Sequence, residues 1–142
     1  MVTVQQVYDI AIHLMDEQDE NSGATSTIDT AEYKLRTISI LNSIIPSLYA
    51  YSGTYKQPTS GRGAPRKLSA DSYSAPDFEQ SVPLDDVLSL SVLPYYLAAH
   101  LLSSENEELA AWMKNQGRET LNDIRNKVPA SFEAISMPYG GF

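Results

Sequence analysis

One stretch decides the fold of this chain: VLSLSVLPYYLAAHLL, residues Val87–Leu102. Apolar side chains would cover nearly every side of a helix formed here, and a helix that is apolar all round is normally the buried centre of its domain. Asp85 and Asp86 precede the stretch, where either can cap the helix and where acids favour the positive end of its dipole. Pro94 should bend this helix, because proline lacks an N–H and crowds the preceding turn.

A first helix is predicted at the start of the sequence. Thr3 and Gln6 have the spacing of a capping box, in which the two side chains satisfy N–H groups left free at the helix start. Apolar residues then recur at helical spacing: Val4, Val7, Ile10, Ala11, Leu14 and Met15. The acidic run DEQDENSG, residues 16–23, should end the helix, because acids near its C-terminus oppose the macrodipole.

A second helix should begin at Asp29 or Thr30, either of which can cap it. Its buried stripe is expected to contain Tyr33, Thr37, Ile40, Leu41, Ile44 and Leu48, and to be widened by Leu35, Ile38 and Ile45. Pro46 lies inside this pattern and should kink the helix or end it a turn early.

A last helix should open at Ser104, since Ser104 and Glu107 form another capping-box pattern. Leu109, Met113, Leu121, Ile124 and Val128 make its apolar stripe, whereas Gly117 weakens the middle. Pro129 is expected to end it.

The tail after Pro129 is unusually apolar for a free chain end. Its candidate docking residues are Phe132, Ile135, Met137, Tyr139 and Phe142. The tail could pack on its own domain or on a neighbour. We favour a partner, because the four predicted helices could close a core without the tail.

The segment between the second and third helices lacks periodicity over residues 52–82 and is rich in turn formers. A short strand or hairpin around Leu68–Phe78 is an option there. The loop concentrates basic charge beside aromatic residues, and its candidate contact residues are Tyr55, Lys56, Arg62, Arg66 and Lys67. It is either a linker kept in solution by charge or a contact loop.

These patterns predict an all-α fold with about four helices. Residues 1–128 form the helical domain, residues 52–82 are an inserted loop, and residues 129–142 are a docking tail. The charge also limits the possible functions. A net charge of −8 disfavours tight DNA binding, because affinity for the phosphate backbone comes from replacing counterions with Lys and Arg. An acidic wall around a channel would instead keep passing DNA from sticking.

Chemistry-bearing patterns are weak in this sequence. His13 and His100 lie in helical, apolar surroundings, so we interpret both as core or boundary residues, without the spacing of a zinc site. There are no cysteines, no secretory signal pattern and no stretch suited to crossing a bilayer. We therefore expect a soluble cytoplasmic protein with no catalytic residues, metal or cofactor, and a structural or assembly role over an enzymatic one.

Two segments resemble the small head–tail connector, or adaptor, proteins of tailed bacteriophages and prophages. The first is AEYKLRTISILN, residues 31–42, running on to LYAYS, residues 48–52. The second is VPLDD, residues 82–86, followed by VLPYYLAAHLL, residues 92–102, and then Glu105 and Asn106. The basic loop and residues 137–142 lie outside the resemblance.

The resemblance implies a structural virion protein, made in the host cytoplasm and located in the neck of the particle. Such proteins form a ring, usually dodecameric, beneath the portal, where they extend the DNA channel. The implied partners are the portal protein, neighbouring copies, the next neck or tail-completion protein and DNA that passes without specific binding, with no membrane. Two alternatives remain: a tail-completion or other phage assembly protein, and a nucleic-acid-binding regulator that uses the basic loop.

Overall fold

The computed structural model describes residues 2–16, 20–25, 30–52, 68 and 75–136, and within these the side chains of residues 50, 75, 76 and 126–136 are not described. The described part of the chain is mostly helical, which confirms the all-α prediction. Its α-helices are α1 (Val4–Met15), α2 (Ala31–Leu48), α3 (Ala75–Glu79), α4 (Asp86–Ser91), α5 (Leu93–Leu102) and α6 (Glu107–Ser136), with a 3-10 turn at Tyr49–Tyr51.

Helix α5 is the centre of the fold and packs against α1, α2, α4 and α6. Leu93, Leu97, Ala98 and Leu101 are fully buried, as the all-round apolar pattern predicts.

The same prediction is wrong for α4, because Val87 and Leu90 are 58% and 44% exposed. Pro94 also does more than bend the helix. The chain breaks at Val92 (φ −108°, ψ −47°), and Pro94 occupies the first turn of α5, where its missing N–H costs nothing. In α2, Ile38 and Ile45 are buried as expected, but Leu35 is 59% exposed, so it lies outside the buried stripe.

The predicted cap of α1 is confirmed in detail. The backbone N–H of Gln6 donates to Thr3 Oγ1 at 3.3 Å, and the N–H of Thr3 donates to Gln6 Oε1 at 2.9 Å. The helix ends at Asp16, whose backbone is left-handed (φ 59°). The start of the chain is held by an isolated antiparallel bridge between Thr3 and Ser81.

Neither Pro46 nor Pro129 ends its helix, so the expected end of the last helix at Pro129 is wrong, as is the early end that was one of the two alternatives for Pro46. Helix α2 continues through the exposed Pro46 to Leu48 and then tightens into the 3-10 turn, while α6 continues through Pro129 to Ser136. The φ of proline is itself helical, so the cost of a proline inside the helix is mainly one lost hydrogen bond and local crowding. Residues 129–136 of the predicted docking tail are therefore helical.

The start of α6 also differs from the prediction. Asn106 is the cap, because its Oδ1 accepts from the N–H of Leu109 at 3.1 Å, and Ser104 lies in the preceding turn. Serine and asparagine are both common N-cap residues, and the short connection from Leu102 to Glu107 places Asn106 at the cap position.

The predicted hairpin at Leu68–Phe78 is wrong at its described end, where α3 forms a short helix from Ala75 to Glu79. Phe78 is buried edge-on against Tyr8 of α1, with ring centroids 5.6 Å apart. Leu68 is also buried, and Asn42 of α2 holds both of its backbone polar groups: Nδ2 donates to Leu68 O at 3.0 Å, and Leu68 N–H donates to Oδ1 at 2.7 Å. These contacts attach Leu68 and Phe78, which both lie within residues 52–82, to helices α2 and α1.

Candidate functional site

An open groove of about 540 Å³ lies between α2, α5 and α6. Small or aliphatic side chains line much of it: Ile44 from α2, Ala99 from α5, and Ala110 and Ala111 from α6. Because alanines cannot fill the space between three helices, the groove keeps room for side chains from elsewhere.

Tyr96 forms one end of the groove, and its ring packs against Gly117 of α6. A Cβ atom added at Gly117 would lie 2.8 Å from Cε1 of Tyr96, so the two helices can approach this closely only because residue 117 is glycine. The tyrosine ring is half-buried, and its position is fixed by the backbone of the neighbouring helix.

Burial also raises the pKa of Tyr96 above the ordinary value of 10.0, while Arg118 lowers it and Tyr51 raises it slightly. Tyr51 and Arg118 are therefore close enough to act electrostatically on the Tyr96 hydroxyl. Tyr51 is 39% exposed and Arg118 is exposed, so both side chains reach solvent near Tyr96.

The serines of the groove are already hydrogen-bonded within their own helices. Ser43 donates to Ile40 O at 2.7 Å, Ser47 to Ile44 O at 2.6 Å, and Ser103 to His100 O at 2.9 Å. A serine hydroxyl has one proton to donate, so none of the three donates to a basic side chain, as an activated nucleophile would.

The charge of the groove differs from that of the whole chain. His100 and Lys114 are its exposed nitrogen-bearing side chains, and none of the residues lining it is acidic, although the chain carries −8. The groove therefore offers apolar and aromatic surface with a cationic rim, which suits an apolar segment of another polypeptide.

Both histidines prove more exposed than a core position would allow. His100 lies on the groove rim, and His13 is on the surface with Nε2 3.4 Å from Gly23 O. In an amphipathic helix one face meets solvent even when its neighbours along the chain are apolar, and both histidines lie on that face.

The predicted contact residues fall largely outside the described residues. Phe132 and Ile135 lie in the backbone of α6, where side chains are not described. The remaining candidates lie outside the described part altogether: Tyr55, Lys56, Arg62, Arg66, Lys67, Met137, Tyr139 and Phe142. Sequence reasoning missed the groove itself, although the small residues Ala99, Ala110 and Ala111 beside predicted apolar stripes were a readable signal.

A scan against protein families, a search of curated proteins and a search of solved structures each found no match to this chain. Within the described ranges, no group of three or more histidine, aspartate or glutamate side chains is placed to hold a metal ion. None of the described helices is long and apolar enough to cross a membrane.

Proposed function

We propose that this chain is a structural subunit of a phage head–tail connector, which forms a ring beneath the portal and joins the head to the neck or tail. In this proposal it is a virion protein with no catalytic activity. The proposal starts from the resemblance of residues 31–52 and 82–106 to such connectors, and the structure adds two kinds of support.

The first support is that the two resembling segments form one packed unit. Tyr33 of α2 donates a hydrogen bond to Glu105 beyond α5, and Arg36 donates to Leu101 O at 3.3 Å. At the opposite end of the pair, Ser52 donates to Asp85 at 3.1 Å. Segments far apart in the sequence are thus joined at both ends, as expected if the resemblance reflects one shared helical unit.

The second support, which carries the proposal, is the chemistry of the groove. Its serine hydroxyls donate to backbone carbonyls nearby in the chain, much of its lining is small and apolar, and its charged rim is exposed. Such a surface contributes area and shape to a contact with another polypeptide, and it lacks a nucleophile paired with a base.

The surface charge is compatible with a channel that DNA passes through. The chain carries a net charge of −8, and α6 exposes Glu107, Glu108, Glu119 and Asp123 alongside the cations Lys114, Arg118 and Arg125. Carboxylates on a channel wall repel phosphate and keep the duplex from adhering, so we propose that DNA is a passing contact and not a specific ligand.

Imaging of a portal complex tests this function. The purified chain is mixed with the portal protein encoded in the same genome, and the mixture is examined by cryo-electron microscopy. We expect a ring of this chain stacked coaxially on the portal. Portal rings that stay bare at saturating protein would refute the connector proposal.

DNA binding by the free protein provides the control. We expect weak binding without sequence preference. Tight, salt-dependent binding that disappears when Lys56, Arg62, Arg66 and Lys67 are neutralised would instead indicate the regulator alternative.

A further inference from the structure

We propose that the groove between α2, α5 and α6 receives residues 137–142 from a second copy of this chain. This inference rests on the groove and on the length of α6, and it does not require the portal. It goes beyond the connector proposal by assigning both halves of a contact between subunits.

The chemistry of the segment complements that of the groove. The segment MPYGGF, residues 137–142, has three large apolar or aromatic side chains, two glycines and no charged side chain. The groove has alanines on two helices, an aromatic end at Tyr96, and no carboxylate in its lining. Aromatic side chains inserted between helices bury large areas, and Gly140 and Gly141 allow the backbone to approach closely.

The length of α6 prevents the segment from reaching the groove of its own chain. Gly117 lies beside Tyr96 at the near end of the groove, and Ser136 is ~28 Å farther along the helix at about 1.5 Å per residue. Residues 137–142 span at most ~21 Å when fully extended. A bend at Pro129 moves only the last two turns and does not close the gap.

The inserted loop of the same chain could also compete for the groove, and its charge makes it a poor occupant. Residues 53–67 carry four basic side chains and no acidic one. The groove presents Lys114 on its rim and Arg118 close to Tyr96, so a basic occupant would be repelled.

A contact between the groove of one copy and residues 137–142 of another is head-to-tail. A pair of copies joined in this way has one free groove and one free segment, and repetition of the contact gives a closed ring or an open filament. This geometry fits a ring-forming subunit.

Disulfide trapping tests the inference directly, because the chain contains no cysteine. The full-length variants Ala111→Cys and Tyr139→Cys are mixed under mild oxidation, and heterodimers are counted on non-reducing gels. The matched control replaces the first variant with Ala31→Cys, an exposed alanine ~18 Å along α2 from the groove. We expect about tenfold more heterodimer than in the control, since binding raises the local thiol concentration. Equal yields would overturn the inference.

Two double variants identify the occupant. Chains carrying both Ala111→Cys and Tyr139→Cys should give a ladder of covalent dimers and trimers, whereas an internal disulfide at monomer mass would contradict the reach argument. In the Ala111→Cys/Tyr55→Cys chain, a dominant internal disulfide would assign the groove to the inserted loop and overturn the proposal. If the specific disulfides form but the portal rings stay bare, the connector function alone is refuted. If a ring forms on the portal but the specific disulfides do not form, this contact alone is refuted.

Discussion

Replacing Gly117 by alanine should destabilise the protein, although the same change in an ordinary helix stabilises it. Alanine is favoured over glycine by about 1 kcal/mol in a helix interior. Here the new methyl group would lie 2.8 Å from Cε1 of Tyr96 and 3.2 Å from Cβ of Tyr95. The Tyr95 atom is fixed to the α5 backbone, so it cannot move away without shifting that helix.

The magnitude follows from the two opposing terms. Overpacking of a tight contact costs about 1–3 kcal/mol, which exceeds the propensity gain of about 1 kcal/mol. We therefore expect Gly117→Ala to lower the free energy of unfolding by about 1 kcal/mol, or the melting temperature by about 4 °C. Urea unfolding followed by circular dichroism measures this difference, with Ala111→Gly on the exposed face of α6 as the propensity control.

A double-mutant cycle separates the contact from propensity. In a Tyr96→Ala background, the cost of Gly117→Ala should shrink by about 1 kcal/mol, because the nearest ring atoms are gone. If Gly117→Ala alone raises stability by the full propensity gain, the ring has moved aside at no cost. The close packing of α6 on Tyr96 would then not require glycine, and the reasoning would be refuted.

Three further changes test the fold. Tyr8→Phe should lose about 1 kcal/mol at neutral pH, because the buried hydroxyl donates to a backbone carbonyl at 3.1 Å. Burial raises the pKa of Tyr8 above 10.0, so this tyrosine ionises at a lower pH in the unfolded chain than in the folded protein. The native protein therefore loses stability as the pH rises above 10.0, and urea titration should show a shallower loss in Tyr8→Phe. Thr3→Ala should lose about 1 kcal/mol of capping free energy by thermal unfolding, and equal stability of Thr3→Ala and the exposed-site control Ser39→Ala would contradict the capping role. Asn42→Ala should speed trypsin cleavage before Leu68, because the backbone of Leu68 loses both hydrogen bonds, and an unchanged rate would show that burial alone holds it.

Local signals predicted those features that depend on residues close in sequence. The capping box of Thr3 and Gln6 forms as predicted because both partners lie within one turn. The three prolines show the limit of local reasoning. Pro94 separates α4 from α5, whereas Pro46 and Pro129 stay inside helices, and the sequence rule that proline disturbs a helix does not choose between these outcomes.

Periodicity likewise predicted which helix is central but not how far its burial extends. Leu93, Leu97 and Leu101 are fully buried, while Val87 and Leu90 in the same apolar stretch are exposed. Val92 separates α4 from α5, and within α4 the side chain of Leu88 is buried whereas those of Val87 and Leu90 are exposed. Which side of α4 is buried depends on how that helix packs against the others, and an all-round apolar pattern does not specify it.

The sequence by itself determined the helical class of this protein, the central position of α5 and the start of α1, because these follow from hydrophobic periodicity and from hydrogen bonds within a single turn. Only the tertiary structure decided the position of the groove and the two hydrogen bonds between the Asn42 side chain and the backbone of Leu68. The groove depends on three helices that meet at alanines and on the closeness of α6 to Tyr96, which only a glycine permits. These are distances between residues remote in sequence, and packing fixes them only when all the helices are in place.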